Sequence, residues 1–316
     1  MKPNAGIQTL AALFSVIFLS TGIFMEAGCS PSKIKKATKM VARDLKSSNK
    51  GLKRKVGVIP FENKSVFTDQ KLEELLQHIV IETIEKICPD ILLTKPGDAD
   101  YPAFLAEPKR LASGSLDNFA LAKEAKQFGL NSVITGSLIS ITGNQEERGI
   151  LLWKDMRHMI QVHLAAEVFD METAAKLLDE GFMDEIEVDE TTFDLIKEKK
   201  LQGISELTDA LTKRATDIGE KITDIICEHP CRGYVVSIIG EKIILSSGEN
   251  IGMKVGDILE VYSCNNIIEG TNGEKFCIPG FKTGEIKITE VYPEKAEAVI
   301  VSGKTAGTGS AVKTKK

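Results

Sequence analysis

The sequence is poor in the side chains that build stacking platforms and many active sites. Aromatic residues make up 6% of the chain, with a single Trp, and there are only four His. Binding of single-stranded nucleic acid depends on rings that stack against bases, so a site of that kind is not expected. An aromatic groove for sugars is disfavoured for the same reason.

The chain also lacks the sequence motifs of several enzyme classes. It contains no Gly-x-x-x-x-Gly-Lys-Ser/Thr loop, no Gly-x-Gly-x-x-Gly turn and no Gly-x-Ser-x-Gly elbow. Cys227, His229 and Cys231 lie close in sequence but lack a fourth ligand and the usual zinc spacing. We therefore expect no cofactor, no metal and no catalysis. A cell-envelope hydrolase that uses paired carboxylates is the least favoured alternative.

Charge is distributed unevenly along the chain. Residues 30–55 carry ten basic side chains and one acidic one, whereas residues 56–316 carry 29 basic and 43 acidic side chains. An acidic folded part repels phosphate backbones, so nucleic acid is not an expected partner. The basic stretch is either a solvated tether or a segment that lies on an anionic membrane surface.

The amino terminus has the pattern of an export signal. Lys2 precedes an apolar run, and Ala27 and Gly28 lead directly to Cys29. Ala-Gly-Cys resembles the end of a bacterial lipobox, although Glu26 stands where Leu, Val or Ile is usual. We predict that residues 1–29 form a lipoprotein signal peptide and that Cys29 carries the lipid, palmitate included. The alternatives are an ordinary signal peptide and an uncleaved membrane helix.

Lipidation at Cys29 predicts a location. Ser30, which follows in place of Asp, favours sorting to the outer membrane. Several acyl chains hold a protein firmly, whereas one chain binds a membrane only marginally. The expected state is thus a lipid-anchored protein facing the periplasm, with the basic tether spanning residues 30–54.

Five cysteines remain after Cys29, and an oxidising compartment allows them to pair. Cys264 and Cys277 flank a polar loop between strand-like segments, which predicts a disulfide. Cys227 and Cys231 are candidates for a second, local bridge. Cys88 is expected to be a buried free thiol.

Hydrophobic periodicity predicts two kinds of architecture. A buried strand over residues 55–61 precedes a helix that Asp69 could cap and that runs to Cys88, followed by a strand over 90–94 and a helix over 116–128. Strands over 133–141, 159–169 and 182–188 precede one long helix over 192–227. The order βαβαβββ indicates helices packed on a sheet.

After Gly233 the helical spacing of apolar residues ends, and apolar residues recur at every second position, as in a strand. Short strands separated by Gly turns predict a small barrel or sandwich. We place the domain boundary near Pro230, which gives an α/β domain over residues 55–230 and an all-β domain over residues 231–316.

Two regions are similar to known families. Residues 56–64, Val-Gly-Val-Ile-Pro-Phe-Glu-Asn-Lys, resemble the opening strand of the curli-secretion CsgG family and related envelope lipoproteins. Residues 125–138 and 168–173 look like a later helix, strand and turn of those proteins. This resemblance implies an anticodon-binding-like layered fold, which the amino-terminal domain of TolB also uses. Residues 246–262 and 283–291 look like the carboxy-terminal domain of the flagellar assembly protein T family.

The resemblances imply a scaffold more than a pore. The stretch from Ser140 to His158 is interrupted by Gly and charged residues, so a membrane-spanning hairpin is not expected there. The favoured function is a non-catalytic lipoprotein that binds or scaffolds a secretion or flagellar basal structure. A subunit of a CsgG-like export pore is the alternative, and a homo-oligomer is a further option for the partner. Candidate partner-surface residues follow the first strand: Asn63, Lys64, Ser65 and Phe67.

Overall fold

The computed structural model describes residues 52–315 except 69–70, 151–152, 201–203, 264–265, 271–272, 274 and 305–306. The predicted signal peptide, Cys29 and nearly all of the predicted tether therefore lie outside the described residues, as do Asp69 and Cys264. Residues 51–316 form one compact unit. No helix in the described part of this unit is long and apolar enough to cross a bilayer.

The first part of the unit is built on a mixed sheet. Its main strands are β1 (Arg54–Val58), β3 (Ile91–Thr94), β4 (Ser132–Ile150), β5 (Trp153–Asp170) and β6 (Lys176–Val188), in the order β3-β1-β4-β5-β6. β1 is parallel to β3 and β4, whereas β4, β5 and β6 are antiparallel. The two-residue strand β2 (Glu62–Asn63) pairs with β4.

Helices cover both faces of this sheet. α1 (Leu72–Ile87) and α5 (Ser205–Glu228) pack on one face, and their apolar stripes meet the inward residues of β4, β5 and β6 in one core cluster. α2 (Ala103–Ala106) and α3 (Asn118–Gln127) cover the other face around a second cluster that includes Leu105 and Leu130. Gly129 ends α3 with a φ of 70°, the left-handed conformation that suits glycine.

The predicted long helix over 192–227 is wrong in one respect, because it is two helices. α4 (Glu190–Lys197) begins at Asp189, whose side chain accepts a hydrogen bond from the backbone of Thr192. Lys199 then adopts a left-handed φ of 59°, which ends the helix before α5 begins. The apolar stripe continues across this break, so periodicity alone does not show it.

The predicted strands over 133–141 and 159–169 are also too short. β4 and β5 run without interruption through Gly143 and Gly149 and remain paired as far as Ile150 and Trp153. The glycines and charges that predicted a break are accommodated because residues 142–148 are exposed on both faces of the sheet. Strands of 19 and 18 residues therefore form one long hairpin.

The second part is a closed six-stranded barrel. Its strands are β7 (Gly233–Ile239), β8 (Lys242–Leu245), β9 (Ile258–Tyr262), β12 (Lys282–Val291), β13 (Ala296–Gly303) and β14 (Ala311–Thr314), closed in the order β12-β13-β8-β7-β14-β9. A separate hairpin of β10 (Asn266–Glu269) and β11 (Lys275–Ile278) is inserted after β9. The molecule is thus mixed α/β, rich in sheet, with a barrel after residue 230 as predicted. The anticodon-binding-like assignment stays a prediction.

Candidate partner-binding surface

The residues predicted to form a partner surface instead close a small turn after β2. The Asn63 side-chain oxygen accepts hydrogen bonds from Ser65 N (3.0 Å) and Ser65 Oγ (2.7 Å). Asn63 Nδ2 donates to Phe67 O and to Glu73 Oε2, both at 3.0 Å. These contacts satisfy the polar groups of the turn internally and fix it against the start of α1.

Phe67 cannot be part of a partner surface in this conformation. Its side chain is only 4% exposed and belongs to the core between the sheet, α1 and α5. The neighbouring Val66 is 63% exposed. Lys64 points to solvent, with Nζ 3.2 Å from Glu62 Oε2. The sequence indicated that an aromatic side chain follows the strand but could not show which way it faces.

The far end of the long hairpin is exposed, over residues 142–148 of β4 and residues 155–156 of β5. β6 pairs with β5 only as far as His158, so the hairpin is two-stranded from the pair Glu146–Arg157 to the pair Ile150–Trp153. We call residues 146–150 and 153–157 the hairpin extension. Next to the extension, Phe193 of α4 packs on the hairpin. Its ring lies over Gly143, and its centroid is 4.8 Å from that of the His158 ring. Met156, within the extension, is 51% exposed.

Strand β6 forms an edge of the sheet with an acidic outer row. Glu187 pairs with Arg157 at 2.9 Å, and Glu185 accepts a hydrogen bond from Gln161 at 2.6 Å. Asp184 lies on the other face, 3.1 Å from Arg214 of α5. Charged edge strands resist uncontrolled pairing with other chains. The acidic run is therefore paired within the fold, and among the described residues no group of His, Cys, Asp and Glu could hold a metal ion.

One of the two predicted disulfides is absent from the described residues. The proposed Cys227–Cys231 bridge is not formed, because Cys227 Sγ faces Cys88 Sγ at 2.9 Å and the Cys231 thiol donates to the carbonyl of Lys53 at 2.9 Å. Cys88 is buried, as expected, but its thiol lies against Cys227. Cys277 is in a disulfide, and since Cys264 lies outside the described residues, that pairing stays a prediction.

A buried ionic cluster joins the α/β part to the barrel. Arg232, just before β7, pairs with Asp170 (2.5 Å) at the end of β5 and with Glu172 (2.6 Å) in the following turn. Burial raises the pKa of Asp170, but Arg232 and hydrogen bonds from Thr173 outweigh it and hold this pKa below its ordinary value. Asn131 Nδ2 adds a hydrogen bond to the Arg232 carbonyl at 2.6 Å. This cluster could not be predicted from local sequence patterns, because Arg232 lies 62 residues after Asp170.

An open cavity of about 560 Å³ lies along α3. Two of its polar residues have structural roles. Asp117 caps α3 by accepting from Ala120 N at 2.9 Å, and Lys109 pairs with Glu124 at 3.1 Å. These contacts give the two side chains a role in stabilising the helix.

Comparison with known proteins gives no family. No family model matches the chain, and no curated protein matches it. Solved structures with some similarity include the hypothetical protein CT253 from Chlamydia trachomatis, at 12% identity over 56% of this chain and 99% of that one, with a TM-score of 0.35. Lipoprotein GNA1162 from Neisseria meningitidis is 11% identical over 48% of this chain and 98% of that one, with a TM-score of 0.28. TolB from Acinetobacter baumannii is 10% identical over 79% of this chain and 60% of that one, with a TM-score of 0.27.

Proposed function

We propose that this chain is a lipid-anchored envelope protein that faces the periplasm and binds a protein partner of an envelope assembly. Support for the anchor comes from the sequence, where an apolar run ends in Ala27-Gly28-Cys29 ahead of a basic tether. Support for binding comes from the hairpin extension. Localisation at the outer membrane and a secretion or flagellar assembly as the partner are parts of this proposal.

The observation that carries the binding proposal is the two-stranded length of the extension. An isolated two-stranded hairpin is marginally stable in water. Strand pairing with β6 ends at His158, and beyond it Arg157 adds only an exposed ion pair with Glu187 of β6. Each strand of the extension has an edge that is not paired with another strand. A segment of another chain can add to such an edge as a further strand, through main-chain hydrogen bonds. Projecting from a stable body, the extension is suited to contact a partner.

The continuity of the hairpin also favours the alternative of an export pore subunit, since a pore needs long hairpins. A lipid-facing strand needs one apolar face over roughly 9–11 residues. The register of the extension places charge on both faces, with Glu146, Arg148, Asp155 and Arg157 on one face and Glu147 on the other. This distribution opposes insertion into lipid and favours contact with protein in water.

Metabolic labelling tests the anchor. The full chain and a Cys29→Ala variant are expressed in a Gram-negative host with labelled palmitate, and the membranes are fractionated. We expect label and outer-membrane location only for the parent chain. Absence of label in both would overturn the anchor, and the size of the product would then distinguish a cleaved signal peptide from a retained helix.

Site-specific photo-cross-linking tests the binding surface. A photo-reactive residue at Met156 is compared with one at Ile239 of the barrel, which is apolar and 67% exposed. We expect a discrete adduct from position 156, either with a partner or with a second copy of this chain, and none from position 239. A deletion that joins Gln145 to His158 through Asn-Gly should remove the function without unfolding the body, because those two residues are already paired. Equal cross-linking from both positions would exclude the extension as the surface.

A further inference from the structure

Two cysteines that are distant in sequence meet where α1 and α5 end side by side. Cys88 is the residue that caps α1, and Cys227 lies in the last turn of α5. Their Sγ atoms are 2.9 Å apart although the residues are separated by 139 positions. A disulfide bond is about 2.05 Å long, so the two sulfur atoms need to approach by only about 1 Å.

The backbones that carry these sulfur atoms are held in place. The Cys88 amide donates to the carbonyl of Ile84 at 3.0 Å, which keeps it on the end of α1. Further along the same helix pair, α1 and α5 approach so closely that a Cβ on Gly219 would lie 2.8 Å from Thr83 Cβ. The two thiols are therefore held together by the packing of the whole helix pair.

The surroundings of the pair favour thiolate chemistry. The hydrogen bond with Cys227, aided by the backbone of Asp90 and by the charge of Arg54, lowers the pKa of Cys88 to about 7 despite its burial. Arg54 is fixed there, donating from Nε to the His229 carbonyl at 2.7 Å and from Nη2 to the Cys227 carbonyl at 3.2 Å. By contrast, burial raises the pKa of Cys231 to about 12. Reactivity of a cysteine follows its thiolate fraction.

We propose that Cys88 and Cys227 are an oxidation site and form a disulfide that joins the end of α1 to the end of α5. Formation in the cell rests on the export that is part of the proposed function, because disulfides persist in oxidising compartments. The geometry itself does not depend on export, so it can be tested separately with the purified protein.

The reaction requires an oxidant, which here is the disulfide form of a thiol oxidoreductase or of glutathione. Cys227, which is partly exposed whereas Cys88 is buried, gives up its proton and attacks one sulfur of that disulfide, which forms a mixed disulfide and releases one thiolate of the oxidant. The Cys88 thiolate then attacks Cys227 Sγ, which forms the internal bond and releases the second thiolate. Two electrons pass to the oxidant, and the two protons lost by the cysteines end on its two sulfur atoms.

The bridge would constrain the unfolded chain over the long segment between the two helices. Cross-links that close long loops stabilise most in the chain-entropy account. For a protein of this size we expect the bridge to raise the melting temperature by about 5–15 °C.

Peptide mapping under non-reducing conditions tests the proposal. The full chain, purified in detergent, is incubated with oxidised glutathione, unfolded, treated with a thiol-alkylating reagent and digested. We expect a linked pair of peptides that contains Cys88 and Cys227, and alkylation of Cys231. Cys88→Ser and Cys227→Ser should each abolish the linked pair and lower the melting temperature. The matched control Cys231→Ser should change neither result.

Separate alkylation of Cys88 and Cys227 in the oxidised wild-type chain would overturn the proposal, and this readout does not require any variant to fold. The palmitate experiment decides the proposed function independently. A chain without label that still forms the bridge in vitro would contradict the anchor while supporting the oxidation site.

Discussion

Arg232 and Asp170 form an ion pair that is almost completely withdrawn from solvent: their nitrogen and oxygen atoms are 2.5 Å apart, and the side chains are 6% and 3% exposed. Lys313 of β14 extends the cluster by approaching Glu172 at 3.3 Å. The pair links the last residue of β5 to the residue that precedes the barrel. The two parts of the molecule are therefore held together by charges that would be costly to leave unpaired.

Removal of one partner of this pair should destabilise the protein strongly. We expect Arg232→Met to lower the free energy of unfolding by about 3–5 kcal/mol, because Asp170 would remain buried without its cation and Glu172 would keep only Lys313. Urea unfolding monitored by circular dichroism measures the change. The matched control is Arg157→Met, which breaks the exposed pair with Glu187 and should cost about 0–1 kcal/mol. Similar losses for both variants would contradict a special role for the cluster.

The same cluster predicts sensitivity to acid. The pKa of Asp170 is below its ordinary value in the folded protein, so the folded state binds the proton less readily than the unfolded state. The resulting stability is present above the unfolded pKa of about 3.9 and is lost as the pH falls through the folded pKa. Denaturant titrations at pH about 5 and about 3 should therefore show a smaller loss for Asp170→Asn than for the wild type. An identical loss would show that other carboxyl groups govern acid unfolding.

The two neighbouring apolar residues after β2 should respond very differently to truncation. Phe67→Ala removes a ring from the core and should cost about 3–5 kcal/mol. Val66→Ala removes an exposed side chain and should change stability by about 0.5 kcal/mol or less. Thermal and urea unfolding of both variants check this. If Phe67→Ala were as stable as Val66→Ala, the ring would have to face solvent, and the original prediction of a partner surface would return.

The close approach of α1 and α5 predicts that Gly219 cannot be enlarged. A Cβ at this position would lie 2.8 Å from Thr83 Cβ and 3.2 Å from the Val80 carbonyl. We expect Gly219→Ala to cost about 1–3 kcal/mol by overpacking, although alanine favours helices. Gly181→Ala on the edge strand is the control, since its nearest neighbour would be at 3.9 Å. Calorimetry of the two variants gives the comparison, and a stabilised Gly219→Ala would show that the helices can separate.

Local sequence patterns predicted the elements that have one buried face. The stripe of α1 and the change of period after Gly233 both appear in the structure. The end of the long hairpin could not be predicted this way, because residues 142–148 are exposed on both faces and leave no alternation to detect. The Cys88–Cys227 contact and the Arg232 cluster depend on residues that only the folded chain brings together. The sequence also could not predict that the Phe67 side chain faces the core, because the preceding turn changes the direction in which side chains point.

The way the chain enters the fold has a mechanical consequence. Leu52 packs into the barrel core, the Lys53 amide donates to Ile251 of the barrel at 2.8 Å, and the Lys53 carbonyl accepts from Cys231. Arg54 is the first residue of β1, and its side chain donates a hydrogen bond to the carbonyl of His229 at the end of α5. Tension applied through an amino-terminal tether would thus be shared at once by the barrel, the sheet and α5. We expect a protein held at that end to resist force without unfolding one strand at a time.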